Sequence, residues 1–258
     1  MFRGIAFFPT YNLEQRPPVR ILVTGGSGRL GSQIKRQFPD VYAPTRKELD
    51  FTNQDQVEEV IRKFKPHFVI HCGAYTDVMK AEKERDICWK TNVDGTRNLI
   101  EICKLLEHVH FTFVSTACVF SGKEGNYVES DIPYPSNFYG LTKTVAESLV
   151  RYSNLNWLIV RTNFVKRGPW PHERAFKDRF GSYMYADEVA TQILKLIYLN
   201  AKGIIHVCGK KKLSMLELAK QYSPNVKPLT LKRFYNTNPE APHLTQDMSL
   251  RSYYKKLC

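Results

Sequence analysis

Between residues 20 and 207, short apolar runs alternate with stretches whose apolar residues recur at helical spacing. The runs Arg20–Thr24, Val41–Ala43, His67–Cys72, Phe111–Ser115, Trp157–Arg161 and Ile204–Val207 have the length of strands buried on both faces. The segments Arg29–Phe38, Val57–Phe64, Asn92–Leu106, Tyr139–Tyr152 and Asp187–Leu199 read as helices, the second capped by Thr52 with Asp55 three residues on. Strand and helix in turn predict an α/β fold, a Rossmann-like doubly wound parallel sheet. After about residue 165 the alternation loosens. Lys166–Arg179 is basic, aromatic and Pro-bearing and reads as a loop over a site, and Ser214–Tyr222 reads as one helix before an irregular tail. The expected organisation is an irregular leader over 1–19, a Rossmann domain over 20–165, and a mixed segment over 166–258. That last segment supplies the final sheet strand and a small C-terminal substrate lobe.

Composition narrows the class. With 43% hydrophobic and 12% aromatic residues among 258, the chain has material for a core, which excludes wholesale disorder. No apolar run comes near the ~20 residues of a membrane span, so no membrane partner is expected. The 38 Lys and Arg against 25 Asp and Glu leave a net charge of +13, which suits nucleic acid or phosphorylated small molecules equally. The cations read as scattered, and the longest basic run, Lys210–Lys212, reads as an ordinary turn after a strand. No nucleic-acid partner is therefore expected. Six cysteines at 72, 88, 103, 118, 208 and 258 form no CxxC pair and have no zinc spacing, so no metal is expected. Cysteines inside apolar segments point to a reducing compartment. The apolar stretch at the N-terminus is too short for a secretory signal and is broken by Pro9, so the reading is cytoplasmic.

The first candidate chemistry lies between the first strand and the first helix. Gly25, Ser27, Gly28, Arg29, Leu30 and Gly31 form a glycine-rich turn. One glycine permits the turn, one lets the backbone approach a pyrophosphate, and one packs helix on strand. The free N–H groups of the helix then face the phosphates. The end of the second strand carries no acid for ribose hydroxyls. Arg29 and Arg46 stand as two cations suited to a 2′-phosphate, or as plain surface arginines. NADP(H) is favoured over NAD(H) as cofactor.

Tyr139 and Lys143 lie one helical turn apart on one face, where an ammonium would lower the phenol pKa for general acid–base work. Tyr198 and Lys202 repeat that spacing at an ordinary helix end. What distinguishes Tyr139 is its helix, about twenty residues after a strand whose Ser115-Thr116 end falls at the carboxyl edge of the sheet. That edge is where such folds bind ligands.

Taken in order, Thr24–Gly31, Glu48–Thr52, Cys72–Val78 with Lys80–Glu82, Asn92–Thr96, Ser115-Thr116 with Val119-Phe120, Tyr139–Lys143, Arg161-Thr162 and Asp247–Leu250 resemble the extended short-chain dehydrogenase/reductase superfamily. Within it they resemble the dTDP-4-dehydrorhamnose reductase family. The resemblance implies an NADPH-dependent reductase acting on the C4 ketone of a nucleotide-diphosphate 4-keto-6-deoxy sugar. It implies that Thr116 binds the substrate carbonyl, Tyr139 donates the proton, and Lys143 holds the nicotinamide ribose. Asp50 and Phe51 would flank the adenine, with Gly73, Ala74, Tyr75 and Asn92 along the cofactor channel. Thr76, Cys118, Phe120, Asn163, Lys166 and His172 are the expected substrate-side residues. A homodimer is left open.

The chain also departs from that family's pattern. Ala117-Cys118 stands where the family has Asp-Tyr, Val78-Met79 where it has Val-Asp, and Phe164 where it has Trp. The stretch from Phe164 to Ala186 is short, which implies a trimmed lobe. Cys118 resembles the cysteine of epimerase-reductases of the GDP-fucose synthase type and of the plant UDP-rhamnose enzymes. It reads either as an acid–base thiol for 3,5-epimerisation, with His172 or Lys166 as partner, or as a small buried hydrophobe. A second functional class fits the same resemblance: a non-catalytic dinucleotide-binding subunit, like the regulatory subunit of methionine adenosyltransferase.

Overall fold

The computed structural model describes residues 19–254. Apart from Val19, the leader read over 1–19 lies outside the described residues. The first part of the chain runs β1 (Ile21–Thr24), α1 (Arg29–Gln37), α2 (Gln54–Phe64), β2 (Phe68–His71), α3 (Val78–Ala81), α4 (Arg85–Trp89), α5 (Gly95–Cys103), β3 (His110–Thr116), α6 (Phe138–Arg151) and β4 (Asn156–Thr162). Short strands follow: β5 (Phe164–Val165), β6 (Arg174–Phe176), β7 (Phe180–Gly181) and β8 (Met184–Tyr185). Then come α7 (Ala186–Tyr198), β9 (Gly203–Val207), β10 (Leu213–Ser214), α8 (Met215–Lys220), β11 (Lys227–Leu229), α9 (Leu231–Thr237) and β12 (Asp247–Met248).

The central sheet has the order β1-β2-β3-β4-β9 and is parallel throughout. Side chains alternate across it. Ile21 and Val23 join α1 and α7 residues such as Ile34 and Ile193 in one core. Leu22 joins Val57, Leu99 and Ala146 of α2, α5 and α6 in the other. Both faces are covered, which is why the strands read as continuous apolar runs. The doubly wound α/β class is as expected, and no helix among the described residues is long and apolar enough to cross a membrane.

Several local expectations are corrected. The strand expected at Val41–Ala43 reduces to one bridging residue, Tyr42, beside Leu22. Tyr42 N–H donates to Ile21 O at 2.9 Å and Val23 N–H donates to Tyr42 O at 2.8 Å. Pro44 then removes the next donor, so pairing stops. The cap of α2 is Asn53, whose side chain accepts from Gln56 N–H; the Thr52 hydroxyl is instead donated to Asp50 at 2.8 Å. The helix expected at Asn92–Leu106 begins with α4, passes through a π turn over Lys90–Asp94 and ends with α5.

The tail is more ordered than expected. β11 pairs with β6, and β12 with β7, both parallel, so part of the Lys166–Arg179 loop is strand. Helix α9 buries no residue, so it has no core-facing stripe to betray it. The stretch around β12 straps the lobe to the Rossmann half. Asp247 N–H donates to Gly122 O at 2.9 Å, Tyr127 N–H to Ser249 O at 3.0 Å, and Arg251 N–H to Tyr127 O at 2.8 Å. The Asp247 carboxylate accepts from Ser249 N–H and Oγ and pairs with Lys212. Gly125, at φ +72°, lies where a Cβ would strike that carboxylate.

An ion pair is enclosed beneath α6. Arg161 of β4 and Glu147 of α6 are 1% and 2% exposed. Arg161 Nη2 donates to Glu147 Oε2 at 2.7 Å and Nε to Oε1 at 3.0 Å, while Ser115 Oγ donates to Oε1 at 2.6 Å. The guanidinium lies over the Phe120 ring, 5.1 Å from its centroid, and Phe120 stacks on Tyr127 at 4.3 Å. Phe120, expected to face substrate, is therefore core. Removing one charge of an enclosed pair strands the other. Glu147→Gln is expected to cost about 3–5 kcal/mol, read by calorimetry as a Tm fall of roughly 10 °C.

Candidate active site

The glycine turn is built as its spacing suggests. Gly25 has φ +69°, and a Cβ there would come within 2.7 Å of the Gly73 backbone. A Cβ on Gly31 would lie 2.3 Å from Gly25 O, so α1 packs directly on the turn. Ser27, Gly28 and Arg29 are exposed; Leu30 is buried and can offer only its backbone. Helix α1 has no side-chain cap and no acid in its first turn. By contrast, Asn53, Asp77, Asn137, Ser214 and Thr230 cap their own helices. N–H groups left free at that helix head fit the pyrophosphate of a dinucleotide.

Along the same edge Phe51 is wedged against two glycines. A Cβ on Gly73 would lie 2.4 Å from its ring, and one on Gly95 2.5 Å. Asp50 accepts from Thr52 N–H and Oγ1, and Arg46, with 79% of its side chain exposed, reaches it at 3.4 Å. Burial pushes the Asp50 pKa up, but the Thr52 hydrogen bonds and the Arg46 charge together hold it below the usual carboxylate value. Gly73 and Ala74 follow β2, with Tyr75 hydroxyl donating to Glu84 at 2.7 Å. Thr76 is exposed.

Asn92 serves this edge indirectly. Its Oδ1 accepts from Tyr75 N–H at 2.7 Å, and its Nδ2 donates to Tyr75 O at 3.1 Å and Thr142 Oγ1 at 2.9 Å. The amide expected to meet the cofactor is thus engaged with protein, and it positions the Tyr75 backbone. The π turn that carries it adds a residue to the helix and re-aims the side chain.

His71, which the sequence reading passed over, is enclosed behind Phe51. Its Nδ1 lies 2.6 Å from Thr24 Oγ1 and its Nε2 3.0 Å from Thr96 Oγ1. Thr96 donates its own proton to Asn92 O, so Nε2 carries the imidazole hydrogen and Nδ1 accepts from Thr24. Burial, with the Lys143 charge second, lowers the His71 pKa to about 3, so the ring is a neutral strut between β1, β2 and α5.

Thr116, Cys118, Tyr139 and Lys143 meet where β3 ends and α6 begins. Asn137 caps α6 by accepting from Gly140 N–H at 2.8 Å, and Phe138 N–H donates to Glu82. Gly140 is required here: a Cβ would lie 2.3 Å from Cys118 O. Lys143 Nζ donates to Val114 O at 2.9 Å and stands 3.9 Å from the Phe113 ring centroid. Burial lowers the Lys143 pKa to about 7, against the Glu147 charge. The expectation that Lys143 depresses the tyrosine pKa is not met. Burial raises the Tyr139 pKa, the neighbouring Cys118 adds to the rise, and a hydrogen bond to Thr116 offsets part of it.

Cys118 is half-buried, and its thiol donates to Met248 Sδ at 3.6 Å. Enclosure raises its pKa, against Thr116 and the charge of Arg179. Lys166 and His172 are exposed. His172 packs edge-on against Trp170 at 6.2 Å, and Trp170 belongs to the lobe's own core with Ala175 and Val226. The cation whose charge reaches Cys118 is Arg179. Asn163 is half-buried with Nδ2 unpartnered, as is the Tyr183 hydroxyl. Arg179 and Tyr183 lie in the irregular stretch where no periodic signal sets a residue apart.

A glycine turn at the head of a parallel sheet, facing a Thr-Tyr-Lys set, is the architecture of the extended short-chain dehydrogenase/reductase class. Residues 19–168 match the family described as RmlD substrate binding domain. A dTDP-4-dehydrorhamnose reductase of Aggregatibacter actinomycetemcomitans is 32% identical over 226 residues, covering 78% of this chain and 76% of that protein. The crystal structure of dTDP-4-dehydrorhamnose reductase from Bacillus anthracis in complex with NADP superposes with a TM-score of 0.83 at 30% identity, over 92% of each chain. Methionine adenosyltransferase 2 subunit beta of Pongo abelii is 30% identical over 156 residues, 56% of this chain and 46% of that one. The chain belongs to the dTDP-4-dehydrorhamnose reductase family of NAD(P)-dependent oxidoreductases.

Two measurements test this geometry. Gly140→Ala must move Tyr139 away from Thr116, and is expected to lower turnover about 100-fold, the loss typical of a 1 Å misplacement, with far-UV circular dichroism unchanged. Lys143 has a folded pKa of about 7 against 10.5 unfolded. Between those values the unfolded chain binds the extra proton, so this site adds stability as pH rises. The Tm of the wild type relative to Lys143→Met should therefore increase from pH 7 to pH 10.

Proposed function

We propose that this protein reduces the C4 ketone of a nucleotide-linked 4-keto-6-deoxy sugar with NADPH, on a dTDP- or UDP-4-dehydrorhamnose-like substrate. The observation that carries this reading is the gathering of Thr116, Tyr139 and Lys143 at one enclosed corner of the sheet edge. When bound, NADPH supplies the hydride to C4. Gly25, Gly28 and the head of α1 would hold its pyrophosphate, and Asp50 and Phe51 would lie by the adenine. Arg29 and Arg46, both exposed, support a 2′-phosphate over a free ribose.

Thr116 donates to the substrate carbonyl and draws electron density toward O4. As negative charge grows on that oxygen, Tyr139 gives up its phenolic proton. A raised pKa suits this direction, since the phenol starts protonated at neutral pH. Lys143, partly charged near pH 7, then stabilises the phenolate left behind. Catalysis by Cys118 of 3,5-epimerisation is a separate matter. Its raised pKa and its contact with Met248 favour the thiol over the thiolate that proton abstraction needs, so reduction alone is the activity proposed. Cys72, Cys88, Cys103 and Cys118 carry free thiols, which supports a reducing compartment, the cytoplasm.

The test follows NADPH absorbance with dTDP- and UDP-4-keto-6-deoxyglucose, with and without a separate 3,5-epimerase. Turnover that needs added epimerase is expected. Tyr139→Phe and Thr116→Val should each lower kcat by about 10²–10⁴, and Arg46→Ala should narrow the preference for NADPH over NADH. Solvent deuterium entering the sugar, and lost in Cys118→Ser, would reinstate the epimerase. Tight dinucleotide binding without turnover of either sugar would favour the regulatory-subunit reading.

A further inference from the structure

Between β2 and the π turn the chain forms two short helices that add little to either core. Helix α3 has four residues and buries only Ala81, and α4 has five and buries only Cys88. So little burial gives such short helices almost no support of their own. Their polar side chains instead reach the head of α6. Glu82, which ends α3, has 22% of its side chain exposed. Its Oε1 accepts from Phe138 N–H at 2.7 Å, and its Oε2 accepts from Arg85 Nη2 at 2.7 Å. Arg85 in turn lies over the Phe138 ring, 5.0 Å from its centroid, and Trp89 meets the same ring at 6.5 Å.

Phe138 is the first residue of α6 and Tyr139 the second. A helix leaves its first N–H groups without partners inside itself. At this head Asn137 supplies an acceptor to Gly140 N–H, and Glu82, 56 residues away in sequence, supplies the one for Phe138 N–H. The Asn137 cap is local and moves with the helix. The Glu82 bond ties the first turn to a separate segment of the chain. A carboxylate suits that place, because its hydrogen bond is charge-assisted and a helix head is electropositive. Arg85 holds the carboxylate in one orientation. Farther along α6, Glu147 is fixed to Arg161 of β4. The helix is thus gripped on both sides of Tyr139 and Lys143.

We propose that Glu82 is a positioning residue for Tyr139: its carboxylate anchors the first turn of α6 and thereby holds the phenol beside Thr116. With both oxygens engaged by protein, Glu82 acts only through the Phe138 amide, next to the tyrosine. Loss of this acceptor frees the head of α6 to fray, and the phenol on that first turn moves with it. This assignment rests on the reductase reading for the role of Tyr139, but the anchoring itself does not.

The experiment compares the full-length wild type with Glu82→Gln and Glu82→Ala, measuring kcat, KM, NADPH affinity, Tm and amide hydrogen exchange by mass spectrometry. Glu82→Gln keeps an oxygen for Phe138 N–H, and Glu82→Ala removes it. Glu82→Ala is expected to lower kcat about 10- to 100-fold, the range of an ångström-scale misplacement, with KM and NADPH affinity within about 3-fold of the wild type. Exchange at the head of α6, residues 138–141, is expected to quicken about 10-fold while the central strands stay protected. Glu82→Gln is expected to recover kcat to within about 5-fold of the wild type, since the acceptor survives without its charge. A Glu82→Ala protein that turns over as the wild type does, or a Glu82→Gln protein as impaired as Glu82→Ala, would overturn the assignment. So would slow turnover with NADPH binding lost and exchange raised throughout the sheet, the signature of a carboxylate that serves stability alone. If the wild type reduces neither sugar, faster exchange confined to the head of α6 in Glu82→Ala would keep the anchor and remove the reductase reading. Unchanged exchange in that case would overturn both.

Discussion

A carboxylate and a guanidinium taken out of water together hold the catalytic edge in place. Glu147 and Arg161 are enclosed between α6, β3 and β4, and neither is tolerable there alone. Their pairing sets the rotation of α6 against the sheet. Lys143, one turn before Glu147, is thereby pointed at Val114, and Tyr139, a turn earlier still, at Thr116. The same carboxylate also tempers Lys143, raising a pKa that burial alone would lower further. A single enclosed charge thus bears on both the position and the protonation of the reacting groups.

Around that weld the site is assembled from close approaches. Gly25 against Gly73, Gly31 against Gly25, and Gly140 against Cys118 are each contacts that a side chain would prevent. They bring three segments distant in sequence to one corner. His71 and Asn92 then tie the corner from behind through Thr24, Thr96, Tyr75 and Thr142. These are polar networks with their hydrogen bonds made, which suits them to fixing geometry.

Much of this was legible in the chain itself, for identifiable reasons. Strands buried on both faces print as apolar runs, and the glycine turn and the Tyr139–Lys143 pair are local in sequence. What escaped was non-local or aperiodic. Asn92 and Phe120 sit in family-like stretches, yet Thr142 helps turn one toward Tyr75, and Arg161 and His206, far along the chain, enclose the other. Helix α9 has no apolar face to announce it, and Val41–Ala43 could not become a full strand with Pro44 behind it. The tyrosine pKa was read in the wrong direction because spacing reports a neighbour's charge and says nothing of burial.

The strap around β12 has a consequence for how the molecule comes into being. Residues 245–251 brace the turn at Gly122–Tyr127 and put Met248 against Cys118. On the ribosome those residues emerge only after every strand of the central sheet has been made. The sheet and its glycine turn are free to fold first, while the wall beside Cys118 waits for the strap. A nascent chain would thus acquire its dinucleotide cradle well before it has a closed reaction chamber.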